Sequence, residues 1–293
     1  MMTKRKWQIS EALHWASSFL NTNSNAPELL LAHLLRFDRT KLLSNLRETC
    51  PEDVMERFQE QIARHKQGVP VQYLIGEEQF YGRSFLVNEA VLIPRPETEE
   101  LVQLILQKVA ERFQNKQTVT GCDIGTGSGV IAITLAREEK KFEMTATDIL
   151  EDALAVAKQN AKRLSAKNVA FLRGDLLQPV ISQRKRFDVI VSNPPYIESD
   201  MISKLDVNVR AHEPHLALDG GKDGYDIYRR LIGQLPEALN AQALIGFEVG
   251  VGQSETVAAL LRRQFPKARI ETTYDMNQKD RIVTAEVGFS TSH

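Results

Sequence analysis

From about residue 118 onward, short apolar runs alternate with longer segments of helical spacing. Five of the runs are predicted strands, and they end at Asp123, Asp148, Arg173, Asn193 and Val249. This alternation predicts an α/β fold with a doubly wound parallel sheet. A long polar loop follows the fourth strand. Two last runs, 270–274 and 282–287, have no long helix between them, and they predict an antiparallel hairpin at one edge of the sheet.

The first part of the chain differs from the rest, because its apolar residues follow helical spacing alone. We predict a small helical domain over residues 1–72, a β-hairpin linker over 73–95 and the sheet domain over 96–293. The helical domain is either a bundle that only packs or a module that recognises a substrate. The sequence favours neither.

Composition narrows the classes to which this protein can belong. The chain has 293 residues and a formal net charge of −1, which argues against a large basic face for duplex nucleic acid. No apolar run is long enough to span a membrane, and no signal core follows the basic N-terminus. The two cysteines, Cys50 and Cys122, lack metal-type spacing and suit a reducing compartment. We therefore expect a cytoplasmic protein that holds no metal.

The segment Asn-Pro-Pro-Tyr, at the end of the fourth predicted strand, indicates chemistry at a planar nitrogen. Such an NH2 group can be held by two acceptors, and the Asn193 side-chain oxygen and the Pro194 carbonyl are suitable ones. Pro194 and Pro195 stiffen the turn, and the Tyr196 ring can stack on the planar group. We predict that Asn193, Pro194 and Tyr196 are catalytic and act mainly by positioning.

A glycine-rich turn at residues 123–129, Asp-Ile-Gly-Thr-Gly-Ser-Gly, indicates where a cofactor binds. In open α/β sheets, ligands bind beyond the carboxyl ends of the strands. Gly125, Gly127 and Gly129 allow a close approach there and offer backbone N–H groups. Combined with Asn-Pro-Pro-Tyr on a later strand, this turn predicts methyl transfer from S-adenosylmethionine (SAM).

Acidic residues at other strand ends complete the predicted SAM site. We expect Asp148 to accept both ribose hydroxyls, and Asp175 to meet the adenine amino group with Leu176 against the ring. Asp123 is expected to order the turn or to meet the methionine end through water. Arg95, between two prolines, is expected to line the mouth of the site, whereas Thr98 is interpreted as a helix cap and Glu97 and Glu99 suit a helix N-terminus.

Each motif has an alternative interpretation. Asn-Pro-Pro alone is typical of a strand-ending turn. A glycine turn also occurs in dinucleotide-binding folds, but the spacing here is Gly-x-Gly-x-Gly rather than Gly-x-Gly-x-x-Gly. The preceding acid suits a cationic sulfonium and amine better than a pyrophosphate. A non-enzymatic nucleotide-binding module has no need of Asn-Pro-Pro-Tyr, so the two motifs together favour the transferase.

Five segments together resemble the bacterial release factor glutamine methyltransferases. They are residues 91–99 (VLIPRPETE), 123–129 (DIGTGSG), 193–197 (NPPYI), 213–224 (EPHLALDGGKDG) and 248–250 (EVG). The first and fourth are the specific segments, because the others are shared with amino-methylating DNA and RNA enzymes. The resemblance covers nearly the whole chain, including the helical leader and the hairpin.

The resemblance implies N5-methylation of the glutamine in the Gly-Gly-Gln loop of class 1 peptide chain release factors. It implies two sets of contacts. Those to SAM fall on Gly125, Thr126, Gly127, Ser128, Gly129, Asp148 and Asn193, and those to the glutamine amide on Asn193, Pro194, Pro195 and Tyr196. We add Arg95 to the expected substrate contacts. Many members of the family have an aromatic residue where Leu176 stands.

From the residues alone, adenine N6 and cytosine N4 of DNA or RNA remain alternative acceptors. A base must be flipped out of a duplex to reach such a site, and the chain has little spare length or positive charge for a groove-reading surface. We therefore expect a protein substrate, no nucleic-acid partner and a monomer. His212 and His215 lack the zinc spacing of His-Glu-x-x-His and are expected to be loop residues.

Overall fold

The computed structural model describes residues 6–21 and 24–289. Residues 1–5, 22–23 and 290–293, which the predicted domain bounds include, lie outside the described residues. The chain forms two compact units. The N-terminal helical unit comprises Met1–Glu77 with Asp206–His212, and the sheet unit comprises Glu78–Leu205 with Glu213–His293.

The helices and strands of the described residues are numbered separately, each in chain order. The helices are α1 (Ile9–Leu20), α2 (Ala26–Leu35), α3 (Arg39–Ser44), α4 (Glu52–Lys66), α5 (Val71–Ile75), α6 (Pro96–Arg112), α7 (Val130–Glu138), α8 (Glu151–Arg163), α9 (Gln178–Ile181), α10 (Ser199–Ile202), α11 (Val207–His212), α12 (Asp226–Ala238) and α13 (Ser254–Gln264). The strands are β1 (Glu77–Phe80), β2 (Arg83–Leu86), β3 (Val119–Ile124), β4 (Phe142–Asp148), β5 (Val169–Arg173), β6 (Phe187–Ser192), β7 (Leu239–Glu248), β8 (Arg269–Tyr274) and β9 (Asp280–Val287).

The N-terminal helical unit has a hydrophobic core of its own. In α4, Val54, Phe58 and Ile62 recur at helical spacing, and all three are buried against apolar residues of the preceding helices. Gly68, which follows α4, has a φ of +103°, and a Cβ there would lie 3.3 Å from Val207 Cγ1. A glycine at this turn therefore leaves room for the side chain of α11.

The sheet unit is built on seven strands in the order β5-β4-β3-β6-β7-β9-β8. The first five run parallel, and β9 lies antiparallel between β7 and β8. Every residue of β6 is buried, as expected for a central strand covered on both faces. The doubly wound sheet with an antiparallel edge is thus confirmed. No helix in the described part of the chain is long and apolar enough to cross a membrane.

The predicted long loop after β6 is more ordered than its sequence indicates. It contains α10, α11 and a 3-10 turn at His215–Ala217. These elements have only three to six residues each, too few for a helical period to appear in the sequence. The same reason explains why the sequence analysis did not predict α9.

Candidate active site

The two motifs meet at the carboxyl edge of the sheet. Ser192, the last residue of β6, is opposite Ile124 of β3 and opposite Phe247 of β7. Because the three strands are parallel, the residue after each one lies at the same edge. Asn193 therefore lies between Gly125, which opens the glycine turn, and Glu248.

Asn193 is the first member of a hydrogen-bonded chain of three side chains. Its Nδ2 donates to Thr98 Oγ1 at 3.1 Å, and Thr98 Oγ1 donates to Glu248 Oε2 at 2.6 Å. Thr98 and Glu248 are 3% and 1% exposed. Thr98 therefore does not cap a helix: α6 begins after Arg95, and Thr98 lies in its first turn with its hydroxyl turned to β7.

Sequence analysis did not identify Thr98 and Glu248 as functional residues. Glu248 ends a buried strand, and burial raises the pKa of its carboxyl to about 7, although the hydrogen bond from Thr98, the charge of Arg281 and the nearby Asn193 amide lower it in part. The sequence does contain a sign that Glu248 has a specific role. An acid at the end of an apolar strand is buried only if hydrogen-bond partners or opposite charges surround it.

Tyr196 presents a neutral ring near the hydrogen-bonded side chains of Thr98 and Glu248. Burial raises the pKa of its phenol to about 12, so the hydroxyl does not ionise near neutral pH. Gln253 Nε2 donates to the Tyr196 carbonyl at 2.9 Å. The residue is thereby fixed through its backbone, and its side chain offers a plane rather than a base.

The segment 213–224 folds back along the residues that follow Asn-Pro-Pro-Tyr. The Ile197 N–H donates to the Leu218 carbonyl at 3.0 Å, and the Gly220 N–H donates to the Ile197 carbonyl at 2.8 Å. A Cβ at Gly220 would lie 2.7 Å from Tyr196 Cα, and one at Gly224 would lie 2.6 Å from the Tyr196 carbonyl oxygen. These two glycines let the segment lie directly on the backbone of Tyr196.

Arg95 is paired with a carboxylate of that same segment. Its guanidinium donates to Glu213 Oε1 at 2.6 Å, and the Ile93 N–H donates to Glu213 Oε2 at 3.4 Å. The Glu213 side chain is 1% exposed and that of Arg95 36%. Segments 91–99 and 213–224 are therefore joined by an ion pair, and Arg95 is held at the edge of the site by Glu213.

The three glycines of the turn have different surroundings. Gly125, Gly127 and Gly129 all have positive φ, at +68°, +54° and +85°. A Cβ at Gly125 or Gly127 would meet no atom of the described residues within 4 Å, whereas a Cβ at Gly129 would lie 2.7 Å from Ile133 Cδ1. The first two glycines thus border open space that suits a ligand, and the third permits close packing.

The other residues of the turn are buried and hold it in place. Thr126 Oγ1 donates to Asp123 Oδ2 at 2.6 Å. The Ser128 carbonyl accepts a hydrogen bond from Asn160 Nδ2 at 2.9 Å, and Asn160 also bonds both backbone groups of Leu86 in β2. Thr126 and Ser128 therefore stabilise the conformation of the turn.

Asp123 is fully buried but only half satisfied. Its Oδ2 accepts from Thr126 Oγ1 and from the Ala132 N–H, while its Oδ1 has no hydrogen-bond partner among the described residues. Burial raises the pKa of this carboxyl to about 7. An orphaned buried acceptor beside an open glycine turn fits a cationic group, as the ammonium and sulfonium of SAM are.

Asp148 closes the turn from the neighbouring strand. Its Oδ2 accepts from the Gly127 N–H at 2.9 Å, and its Oδ1 accepts from the Leu150 N–H at 3.0 Å. Burial raises the pKa of Asp148 despite these bonds. Each carboxylate oxygen accepts more than one hydrogen bond, so capacity remains for the ribose hydroxyls.

Asp175 and Leu176 lie at the far end of the predicted cofactor site, after β5. Asp175 is half-buried and forms an ion pair with Arg230. Leu176 has a φ of +50°, which is unusual for a residue with a branched side chain, and its carbonyl accepts from Thr147 Oγ1 at 3.1 Å. Within residues 6–21 and 24–289, no group of His, Cys, Asp and Glu side chains is arranged to hold a metal ion.

Comparison with known proteins places the chain in a family. The family model of the PrmC N-terminal domain matches residues 11–76, and that of the methyltransferase small domain matches residues 102–212. The release factor glutamine methyltransferase of Bacillus cereus is 49% identical over 283 residues, which are 96% of this chain and 99% of that protein. The protein of the same name from Bacillus subtilis is 46% identical over 280 residues, 94% and 97% of the two chains.

A solved structure supports the fold independently. The hMettl16 catalytic domain, solved in complex with the MAT2A 3'UTR hairpin 6, aligns with a TM-score of 0.56 at 16% identity, covering 83% of this chain and 84% of that one. At this identity the likeness concerns the fold alone. From the near full-length identity to the two Bacillus enzymes, the chain belongs to the release factor glutamine methyltransferases, and it is a SAM-dependent methyltransferase.

Proposed function

We propose that the protein transfers a methyl group from SAM to the side-chain amide nitrogen, N5, of the glutamine in the Gly-Gly-Gln motif of class 1 peptide chain release factors. The observation that carries this proposal is the orientation of Asn193. Its Nδ2 is committed to Thr98, so Oδ1 is the atom that the side chain offers to a substrate. Together with the Pro194 carbonyl it forms a pair of acceptors that matches the two N–H groups of a primary amide.

Catalysis then depends on positioning. When bound, SAM supplies a methyl group activated by the sulfonium, so that transfer forms the N–C bond, returns the C–S electron pair to sulfur and releases one amide proton to solvent. Asn193 and Pro194 hold the amide, and Pro195 limits the flexibility of the turn. Tyr196 stacks on the planar amide as a neutral ring, since its pKa of about 12 excludes it as a base near neutral pH.

The cofactor is held by the glycine turn and the acids of the neighbouring strand ends. We assign the ribose to Asp148 and the cationic methionine end to Asp123, whose Oδ1 is the buried acceptor described above. We assign the adenine to the side of Asp175 and Leu176. The Arg230 ion pair holds the carboxylate of Asp175 in place there.

The N-terminal helical unit is proposed to recognise the release factor. Its surface carries two concavities of about 450 and 350 Å³ that share Ala32, His33 and Phe37, and the larger is also lined by Arg36 and Arg57. None of the residues assigned to SAM or to the amide belongs to this unit. A separate task, the binding of a large protein substrate, would explain why the unit is present.

We also propose that the enzyme works in the cytoplasm as a monomer and without a nucleic-acid partner. Its two cysteines are free and buried, as in proteins of a reducing compartment. The net charge of −1 supports a protein rather than a nucleic-acid substrate. Size-exclusion chromatography with light scattering would test the monomer, and a dimer mass would contradict it.

The test of the proposed amide site is Asn193→Ala. We expect the rate of methyl transfer to a release factor to fall by about 100-fold or more, because an acceptor aimed at the reacting group is lost. SAM affinity by calorimetry should change much less. Asn88→Ala, at an exposed asparagine after β2, is the control and should turn over normally. Normal turnover of Asn193→Ala would contradict the proposed role.

A further inference from the structure

We propose that Thr98 and Glu248 are positioning residues that fix the orientation of the Asn193 carboxamide and so make the site select a primary amide over a carboxylate. The inference rests on the proposed function, in which Asn193 Oδ1 accepts a hydrogen bond from the glutamine NH2. It assigns to segments 91–99 and 248–250 a task in specificity that their sequence alone does not reveal.

The direction of the hydrogen bonds is set at the carboxylate end. An ionised Glu248 has no hydrogen to give, so the single hydroxyl hydrogen of Thr98 goes to Glu248 Oε2, at 2.6 Å. Thr98 can then only accept from Asn193. The amide atom that lies 3.1 Å from Thr98 Oγ1 must therefore be Nδ2, which turns Oδ1 away from Thr98 and towards the substrate side.

The two positioning residues are on elements that cannot easily move. Thr98 lies in the first turn of the 17-residue helix α6. Glu248 ends β7, and the Tyr228 hydroxyl donates to its backbone carbonyl at 2.7 Å. Both side chains are nearly inaccessible to solvent. A carboxylate and a hydroxyl held this rigidly restrict the carboxamide to one of its two flipped orientations.

The charged and titratable groups around Glu248 come from four elements. Those named by their electrostatic effect are Glu97 of α6, Arg281 of β9, Tyr196 after β6 and Tyr228 of α12. Of these, Arg281 favours the ionised carboxylate and Glu97 opposes it. Arg281 is itself bound to Asp275 at 3.2 Å, so its charge is fixed near Glu248 and supports the ionised state that sets the direction of the chain.

Orientation decides which side chain the site accepts. With Oδ1 towards the substrate, the site presents two acceptors, Asn193 Oδ1 and the Pro194 carbonyl. A glutamine satisfies both with its NH2 group, whereas a glutamate carboxylate would place a third and fourth acceptor against them without a hydrogen. In the flipped orientation Nδ2 would face the substrate, which would favour the carboxylate and repel the NH2 group. Sites built around buried polar partners reject mismatched groups strongly.

The test compares Thr98→Val, which removes the hydroxyl at similar size, with Thr98→Ser, which keeps it. We expect Thr98→Val to lower kcat on a class 1 release factor by about 10- to 100-fold, with SAM affinity close to that of the wild type. The melting temperature should fall by several degrees, because the buried Glu248 carboxylate loses a donor, so kcat is compared at a temperature at which all variants are folded. Thr98→Ser should retain kcat within about threefold. Wild-type kcat in Thr98→Val would overturn the inference, as would an equal loss in Thr98→Ser.

A double-mutant cycle separates positioning from a general structural role. If Thr98 acts through Asn193, then Thr98→Val should not lower kcat further in the Asn193→Ala background. Effects that multiply would overturn the inference. A release factor carrying Gly-Gly-Glu should inhibit Thr98→Val more strongly than the wild type, and equal inhibition would also count against it.

The outcome for the wild type distinguishes this inference from the proposed function. If the wild-type enzyme does not methylate the release factor, the proposed function is wrong and the inference falls with it. If the wild type is active and Thr98→Val is equally active, only the inference fails.

Glu248→Gln is a second test, at the carboxylate end of the hydrogen-bonded side chains. A glutamine can donate to Thr98, so the direction of the hydrogen bond between Thr98 and Asn193 is no longer fixed. We therefore expect Glu248→Gln to lower kcat.

Discussion

Two buried carboxylates, Asp123 and Glu248, stand at the ends of β3 and β7 on either side of β6. Burial raises the pKa of each to about 7, but their partners differ. Asp123 keeps one oxygen without a partner beside the open glycine turn. Glu248 uses its carboxylate to bind Thr98. At the scale of single residues, one acid is therefore suited to a cationic ligand and the other to the orientation of a neighbouring amide.

The pKa of Glu248 predicts how turnover depends on pH. Above about 7 the carboxylate is ionised and fixes the direction of the hydrogen bonds, whereas below it the protonated carboxyl can donate to Thr98 and release Asn193. We expect kcat at saturating substrates to fall as the pH is lowered through about 7. In Glu248→Gln this inflection should disappear, and a pH profile unchanged from the wild type would contradict the assignment.

The effect on stability has the opposite sign. Because the folded pKa of Glu248 is raised above its ordinary value of 4.5, this group stabilises the fold most at low pH. Its contribution to the free energy of unfolding is lost as the pH rises through about 7. Activity that falls at low pH in a protein still folded by circular dichroism would therefore locate the effect in the site.

At the scale of elements, the strands could be predicted and the packing of the loops could not. Buried parallel strands such as β6 leave continuous apolar runs in the sequence, so their ends and the residues just beyond them were predicted to within about one residue. The acidic start of α6 was equally clear, but a sequence pattern carries no sign that Thr98 turns to Glu248 on a strand 150 residues away. Gly220 and Gly224 belong to the family-specific segment 213–224, but nothing in the sequence shows that they lie against the backbone of Tyr196.

Gly220→Ala tests the contact between the segment 213–224 and Tyr196. The added Cβ would lie 2.7 Å from Tyr196 Cα and 2.9 Å from the Gly224 carbonyl oxygen, so the backbone of Tyr196 must shift. We expect kcat to fall by about tenfold and the free energy of unfolding to fall by about 1–3 kcal/mol. Steady-state kinetics and urea denaturation would measure the two effects.

Gly233→Ala is the matched control for that substitution. Gly233 lies within α12, and a Cβ there would meet no atom of the described chain within 4 Å. Alanine should raise the free energy of unfolding by about 0.5–1 kcal/mol, because glycine is a poor helix former, and should leave kcat unchanged. If Gly220→Ala behaved like this control, the close contact with Tyr196 would have no functional role.

At the scale of the whole molecule, the chain forms two units, each with its own core, and we propose that the two units have separate tasks. The residues assigned to SAM and to the amide all belong to the sheet unit. The N-terminal helical unit was predicted from helical spacing alone, and its role was left open because surface recognition leaves no periodic pattern. The concavities beside His33 and Phe37 now give that role a place to be tested.

If the helical unit binds the factor, a short Gly-Gly-Gln peptide should be a poor substrate. We expect kcat/KM for the peptide to be at least about 100-fold lower than for the intact factor, because binding energy from remote surfaces is lost. Arg57→Glu should raise KM for the factor and leave the kinetics of the peptide unchanged. Equal kcat/KM for peptide and factor would show that the helical unit contributes nothing to recognition.

We propose that this site methylates a glutamine amide of a release factor. The most direct measurement is transfer from labelled SAM to four acceptors: a class 1 release factor, the same factor with its Gly-Gly-Gln glutamine changed to alanine, and single- and double-stranded DNA. We predict label on the intact factor only, located on the glutamine by peptide mass spectrometry. Label on DNA, with none on the factor, would contradict the proposed substrate, whereas the fold and the assignment of SAM as methyl donor would be unaffected.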